Sequence, residues 1–169
     1  MRDRVRIRFR FCYDCRMKKA KTTKRLEDVE ITPEAWALFS AAVNRGKYFT
    51  AEELACRHCG AHGVKQELVD KLDELRELAG FPLPVTSGYR CPNHPRELAK
   101  ESTSGAHGLG LAADLHVFGG RALAILRIAL SLGFTGVGLS QRGDASSRFI
   151  HLDLADAAEG RPRPHLWSY

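Results

Sequence analysis

The chain has 169 residues, 44% of them hydrophobic and 27% charged, with a formal net charge of +6. Those proportions suit one globular domain with an appendage and argue against a disordered chain. No apolar run approaches the ~20 residues of a membrane helix, and the opening MRDRVRIRFRF lacks the apolar stretch of a secretory leader. Synthesis in the cytoplasm is therefore expected, with release or another export route needed for any work outside.

The charge is concentrated at one end. Residues 1–25 hold eleven of the 26 Lys and Arg, against Asp3 and Asp14 as the only acids. The positive balance belongs to a basic arm, for which a polyanionic partner or a solvated tail are the two readings. Within it, Arg4, Arg6, Arg8 and Arg10 alternate with Val5, Ile7, Phe9 and Phe11, which predicts a strand. Cys12 and Cys15 follow. Residues 1–31 are taken as the arm and 32–169 as the main domain.

Thr32-Pro33-Glu34 reads as a helix start, and that helix runs to about Asn44. Thr50-Ala-Glu-Glu53 is a capping box that should open a short helix ending at Cys56 and Cys59. An amphipathic helix over Gln66–Ala79 presents Leu68, Leu72, Leu75 and Leu78 on one side and closes at Gly80. A strand follows at Val85-Thr86. Residues 87–110, rich in Ser, Gly, Pro and His, read as a site-building segment with a short helix near Arg96–Glu101. Ala112–Phe118 and Arg148–Leu154 alternate as strands, with a helix from about Arg121 to Leu132 between them. Helices and strands do not alternate regularly, so the expected class is α+β.

The chemistry gathers on the two later strands. On one, Asp114, His116 and Phe118 share a face, while Ala113, Leu115 and Val117 face the core. On the other, Phe149, His151 and Asp153 share a face. His107 precedes the first strand, with Gly108 and Gly110 available for the chain to fold back. His107, Asp114 and His151 would give two nitrogens and an oxygen with an open fourth position, as a catalytic zinc site requires. Spacing alone equally allows separate surface or capping residues.

The runs SGYRCPNHP (87–95), HGLGLAAD (107–114), GVGLS (136–140) and RFIHLDL (148–154) together resemble the zinc D-alanyl-D-alanine carboxypeptidases. That family also includes peptidoglycan endopeptidases and phage endolysins. The resemblance spans about residues 47–169. It implies a small antiparallel sheet flanked by helices, of the type shared with hedgehog signalling domains. It also implies zinc held by His107, Asp114 and His151, hydrolysis of peptidoglycan stem peptides by a carboxypeptidase or endopeptidase, and a phage lysis role. By the same resemblance Arg90 meets the substrate carboxylate or oxyanion, with Ser87 and His116 as further substrate contacts. His165 matches a further position. Where some relatives carry an acid or a His before the last ligand, this chain has Arg148 and Phe149. Asp153 then remains, either as the proton acceptor or as the group that orients a ligand imidazole. The serine found two before the first ligand in many relatives is Gly105 here, with Ser104 one earlier.

Five cysteines and no leader disfavour a disulfide framework. Cys12, Cys15, Cys56 and Cys59 could form a second, structural zinc site, or stay as reduced thiols; Cys91 stands apart, with nothing to mark it as an activated nucleophile. A monomer is expected. The competing function is a noncatalytic module binding nucleic acid or a virion partner through the arm, kept open by Arg148 in place of an acid.

Overall fold

A computed structural model describes residues 46–100, 105–158 and 161–169. The predicted strand over 4–11, the Cys12/Cys15 pair, the helix over 32–44 and the 31/32 boundary lie outside the described residues. Among those described, no helix is long and apolar enough to cross a membrane.

Helix α1 (Gln66–Ala79) falls where its apolar spacing put it. Gly80 ends it in the left-handed conformation at φ 71°, its N–H returning to Arg76 O. The buried stripe is Leu68, Val69, Leu72 and Leu75, whereas Leu78 is 59% exposed. At ~100° per residue, Leu78 has turned about 110° from the centre of that stripe, and Val69 takes the buried position expected of Leu78. The capping box at Thr50 forms both reciprocal bonds: Thr50 N–H to Glu53 Oε2 at 2.9 Å, and Glu53 N–H to Thr50 Oγ1 at 3.2 Å. It closes a turn and not the expected helix, because the chain bends into the Cys56–Gly60 turn straight after buried Leu54.

The remaining elements in chain order are β1 (Val85–Ser87), α2 (Pro95–Leu98), β2 (Ala112–Leu115), α3 (Gly119–Ser131), β3 (Gly136–Ser140), a 3-10 turn (Ala145–Ser147), β4 (Phe149–Asp153) and β5 (His165–Ser168). The five strands form one sheet in the order β1-β2-β4-β3-β5, antiparallel except for the β3–β5 pair. The class is α+β, as expected. β2 is shorter than predicted: His116 already bonds through its N–H to Pro84 O, outside the ladder. α3 starts two residues early, at Gly119.

One face of the sheet is the core. Ala113, Leu115, Val137, Ile150 and Leu152 are all essentially buried there, packed with Leu68, Leu72 and Leu75 of α1 and with Ala122, Ile125 and Ala129 of α3. The other face carries the chemistry, and the register arranges it in rows. Asp114 lies opposite His151 across β2–β4, Gly138 opposite His151 across β3–β4, and Trp167 opposite Gly138 across β3–β5. A β-bulge in β1 brings Ser87 beside Asp114 at the other end of that row. One step along, Ala112, Asp153, Gly136 and His165 form a parallel row.

β3 and β5 were not anticipated as strands. Gly136 and Gly138 weaken the strand signal of β3, yet each makes room for a neighbour's side chain. A Cβ on Gly138 would lie 2.7 Å from Trp167 Cε2, and one on Gly136 would lie 2.2 Å from Asp153 Oδ2. Gly138→Ala should therefore displace the indole and destabilise the chain by about 1–3 kcal/mol. Denaturant unfolding together with Trp emission checks this, the emission moving toward that of a more solvated indole in the folded variant.

Candidate metal centre

His107, Asp114 and His151 converge. Their ligand atoms lie within 4.8 Å of one another, and all three residues are buried. His107 Nε2 is 3.2 Å from Asp114 Oδ1 and 3.1 Å from His151 Nδ1, and His151 Nδ1 is 2.9 Å from the same Oδ1. Metal–ligand bonds of about 2.0–2.1 Å at tetrahedral angles require ligand atoms about 3.3 Å apart, so the three are spaced as one small cation would need.

Each side chain is aimed by what lies behind it. His107 sits in a loop that folds back through Ala106 O, Gly105 O and its own carbonyl, accepting from Leu111, Leu109 and Gly110 N–H. Of the two glycines there, Gly110 takes the left-handed conformation (φ 74°), and a Cβ on it would meet Gly63 O at 1.9 Å. His107 Nδ1–H donates to Gly88 O at 2.7 Å, which leaves Nε2 bare toward Asp114. His151 donates Nε2–H to Asp153 Oδ2 at 2.9 Å, which turns Nδ1 into the cluster.

Asp153 is fully buried and stands on the side of the His151 ring away from His107 and Asp114. Its carboxylate is saturated. Arg163 grips it through Nε to Oδ1 at 2.9 Å and a terminal nitrogen to Oδ2 at 2.6 Å, and Ala155 N–H reaches Oδ1 at 3.0 Å. Of the two roles open to it, this geometry matches orientation of the His151 ring. Arg163 was not foreseen; it lies in a Pro-rich stretch, and no spacing rule joins it to Asp153.

The electrostatics favour a bound positive charge. Burial opposes ionisation of Asp114, but hydrogen bonds and charge from His107 and His151 hold its carboxyl well below the usual range. Burial pushes His107 down toward the neutral imidazole. Burial also opposes a charged His151, yet Asp114 and Asp153 outweigh it and raise its pKa. Two imidazole nitrogens and a carboxylate oxygen suit zinc.

Arg90 is 8% exposed and joins the same carboxylate from its other oxygen, donating to Asp114 Oδ2 at 2.9 Å and to Ser87 Oγ at 3.0 and 3.2 Å. Glu97, also unforeseen, lies 3.9 Å from the guanidinium and is bound to Lys100. A cleft of about 350 Å³ opens beside Arg90 and Asp114, walled by Arg57, Ser87, Tyr89, His94, Arg96 and Phe149 among others. His116 and His165 are not drawn into the cluster. His116 Nδ1 is 2.9 Å from Arg148 O, and His165 is exposed and stacked on Trp167 at 5.7 Å. Trp167 itself covers the His151 ring at 5.2 Å. Cys91, beside Arg90, is no activated nucleophile: burial and neighbouring thiols push its pKa up to about 12.

A buried two-histidine, one-carboxylate cluster on an open, mostly antiparallel sheet, next to a cationic cleft, has the donor set of a divalent metal site. The chain belongs to the Peptidase M15 family, which matches residues 47–153. It is thereby a metallopeptidase of a zinc-dependent family. No curated protein matches the chain.

The Asp153 contacts carry a pH consequence. Burial disfavours its charge, but His151 and Arg163 hold its pKa down to about 2, against 3.8 for an ordinary Asp. A carboxyl depressed on folding stabilises above its unfolded pKa, and that stability is lost as pH falls through the folded value. The metal-free protein should thus lose about 2 kcal/mol between roughly pH 4 and pH 2 through this group. Asp153→Asn should flatten that part of the acid limb in denaturant unfolding measured across pH.

Proposed function

We propose that the chain is a D,D-carboxypeptidase of peptidoglycan stem peptides, with zinc held by His107 Nε2, Asp114 Oδ1 and His151 Nδ1. The observation that carries this reading is the cleft, where Arg57, Arg90, His94 and Arg96 surround the approach to Asp114. A cationic pocket within reach of a metal cluster suits a peptide that ends in a free carboxylate beside the bond to be cut.

Zinc, when bound, supplies Lewis acidity toward the scissile carbonyl and an acidified water. The protein supplies placement. Arg90 offers its planar fork to the substrate carboxylate or to the charge developing on the carbonyl oxygen, and Ser87 fixes the angle of that fork. Asp153 and Arg163 keep His151 in the tautomer that leaves Nδ1 unprotonated for the metal. Gly88 O, accepting from Nδ1–H, leaves His107 Nε2 free for the metal. Trp167 and Phe149 bound the site on the sheet side and limit water.

Incubated with purified muropeptides ending in D-Ala-D-Ala, the zinc-loaded protein should release free D-alanine, seen by mass spectrometry. EDTA and His107→Ala should each abolish release. Cleavage of cross-linked dimers without loss of terminal D-alanine would sink the carboxypeptidase reading, and activity unchanged by both treatments would sink the zinc reading.

Arg90→Lys keeps the charge but loses the fork. It should lower kcat/KM for such peptides by about tenfold or more, roughly 1.4 kcal/mol, mainly through KM. Peptides with an amidated C-terminus should be poor substrates of the wild-type protein and little further affected by the change.

A further inference from the structure

Outside that centre, a second group of side chains with metal-ligating chemistry comes together: Cys56, Cys59 and Cys91, whose sulfurs fall within 4.8 Å of one another. Cys56 and Cys91 are 1% and 4% exposed, and Cys59 is partly buried. The sequence separates Cys91 from the pair by 31 residues, so only the fold brings them together. The turn Cys56-Arg-His-Cys59-Gly60 is tightly built. Cys56 N–H bonds Ala61 O at 2.9 Å, Gly60 N–H bonds Cys56 O at 2.7 Å, and Gly60 takes φ 73°.

A second feature is independent of the clustering. The buried Cys56 Sγ accepts from Cys91 N–H at 3.3 Å, so the two segments already meet through a sulfur. A backbone donor on sulfur is what a metal-bound cysteine needs beside it. Three sulfurs in mutual reach cannot all be satisfied by one disulfide. For zinc, Zn–S bonds of about 2.3 Å place tetrahedral sulfurs about 3.8 Å apart, within the observed limit.

We infer that Cys56, Cys59 and Cys91 hold a structural zinc ion. His58 Nδ1 lies 3.5 Å from Cys91 Sγ but outside the mutual reach of the three sulfurs, and the neighbouring His94 commits its own Nδ1 to Arg96 N–H at the start of α2. The ion ties the Cys56–Gly60 turn to the loop that carries Arg90, one residue before Cys91. Cys91 thereby joins Cys56 and Cys59 of the second Cys-x-x-Cys pair.

The inference does not depend on the peptidase reading, and its test removes the other cluster. In the full chain carrying His107→Ala and His151→Ala, one equivalent of zinc should remain after gel filtration. Cobalt in its place should give an intense thiolate-to-metal charge-transfer band. Cys91→Ser and Cys56→Ser should each abolish the band, while Cys12→Ser with Cys15→Ser should leave it intact. No metal in the parent, or a band that survives Cys91→Ser, overturns the site. A band lost with the Cys12 and Cys15 changes overturns a site built on Cys56, Cys59 and Cys91 alone. Should a serine variant fail to fold, the unaltered chain gives a separate readout. Zinc should protect Cys56, Cys59 and Cys91 from maleimide, read by peptide mass, and chelation should remove the protection. Equal labelling with and without zinc overturns the inference.

Discussion

The carboxylate of Asp114 facing the imidazole of His151 across two antiparallel strands is the interaction on which the rest of the structure depends. Both are buried, and in a medium of low polarity neither could be left alone. Their separation is set by the ladder, because paired residues on one face of a sheet hold their side chains at a fixed spacing. A slip of β4 by one residue would send His151 into the apolar layer and bring Leu152 out. The hydrophobic packing under the sheet therefore also fixes the register of the chemistry above it.

Five ionisable side chains (Arg90, His107, Asp114, His151 and Asp153) are buried together. Such a group is tolerated only if every donor and acceptor is used. Among the described residues no buried side-chain nitrogen or oxygen lacks a partner. The chain of contacts runs from Arg163 through Asp153, His151 and Asp114 to Arg90 and Ser87, crossing the sheet from a Pro-rich segment to its opposite edge. Glycine at 136 and 138 is part of the same construction, since the large groups of neighbouring strands occupy the space above those positions.

Much of this was legible beforehand. Period-two alternation over 112–118 and 148–154 separated the polar face from the core face, and the helix over 66–79 was bounded by its own apolar stripe and closing glycine. What stayed hidden has physical reasons. β3 is a strand because its neighbours need bare backbone, so its glycines worked against recognition. Cys91 meets Cys56 across 35 residues, while Arg163 and Glu97 meet Asp153 and Arg90 across loops, where no helix or strand period applies. The turn at Thr50 shows the converse: the capping bonds encoded in Thr50-Ala-Glu-Glu53 form, while buried Leu54 and the cysteine turn keep the segment from continuing as a helix.

Asp114 has two oxygens and two unlike clients, the histidine pair on one side and a guanidinium on the other. Electron density drawn toward one is withdrawn from the other. The histidine pair and Arg90 thus lean on one shared negative charge, so whatever neutralises it on the first side is felt by the guanidinium on the second.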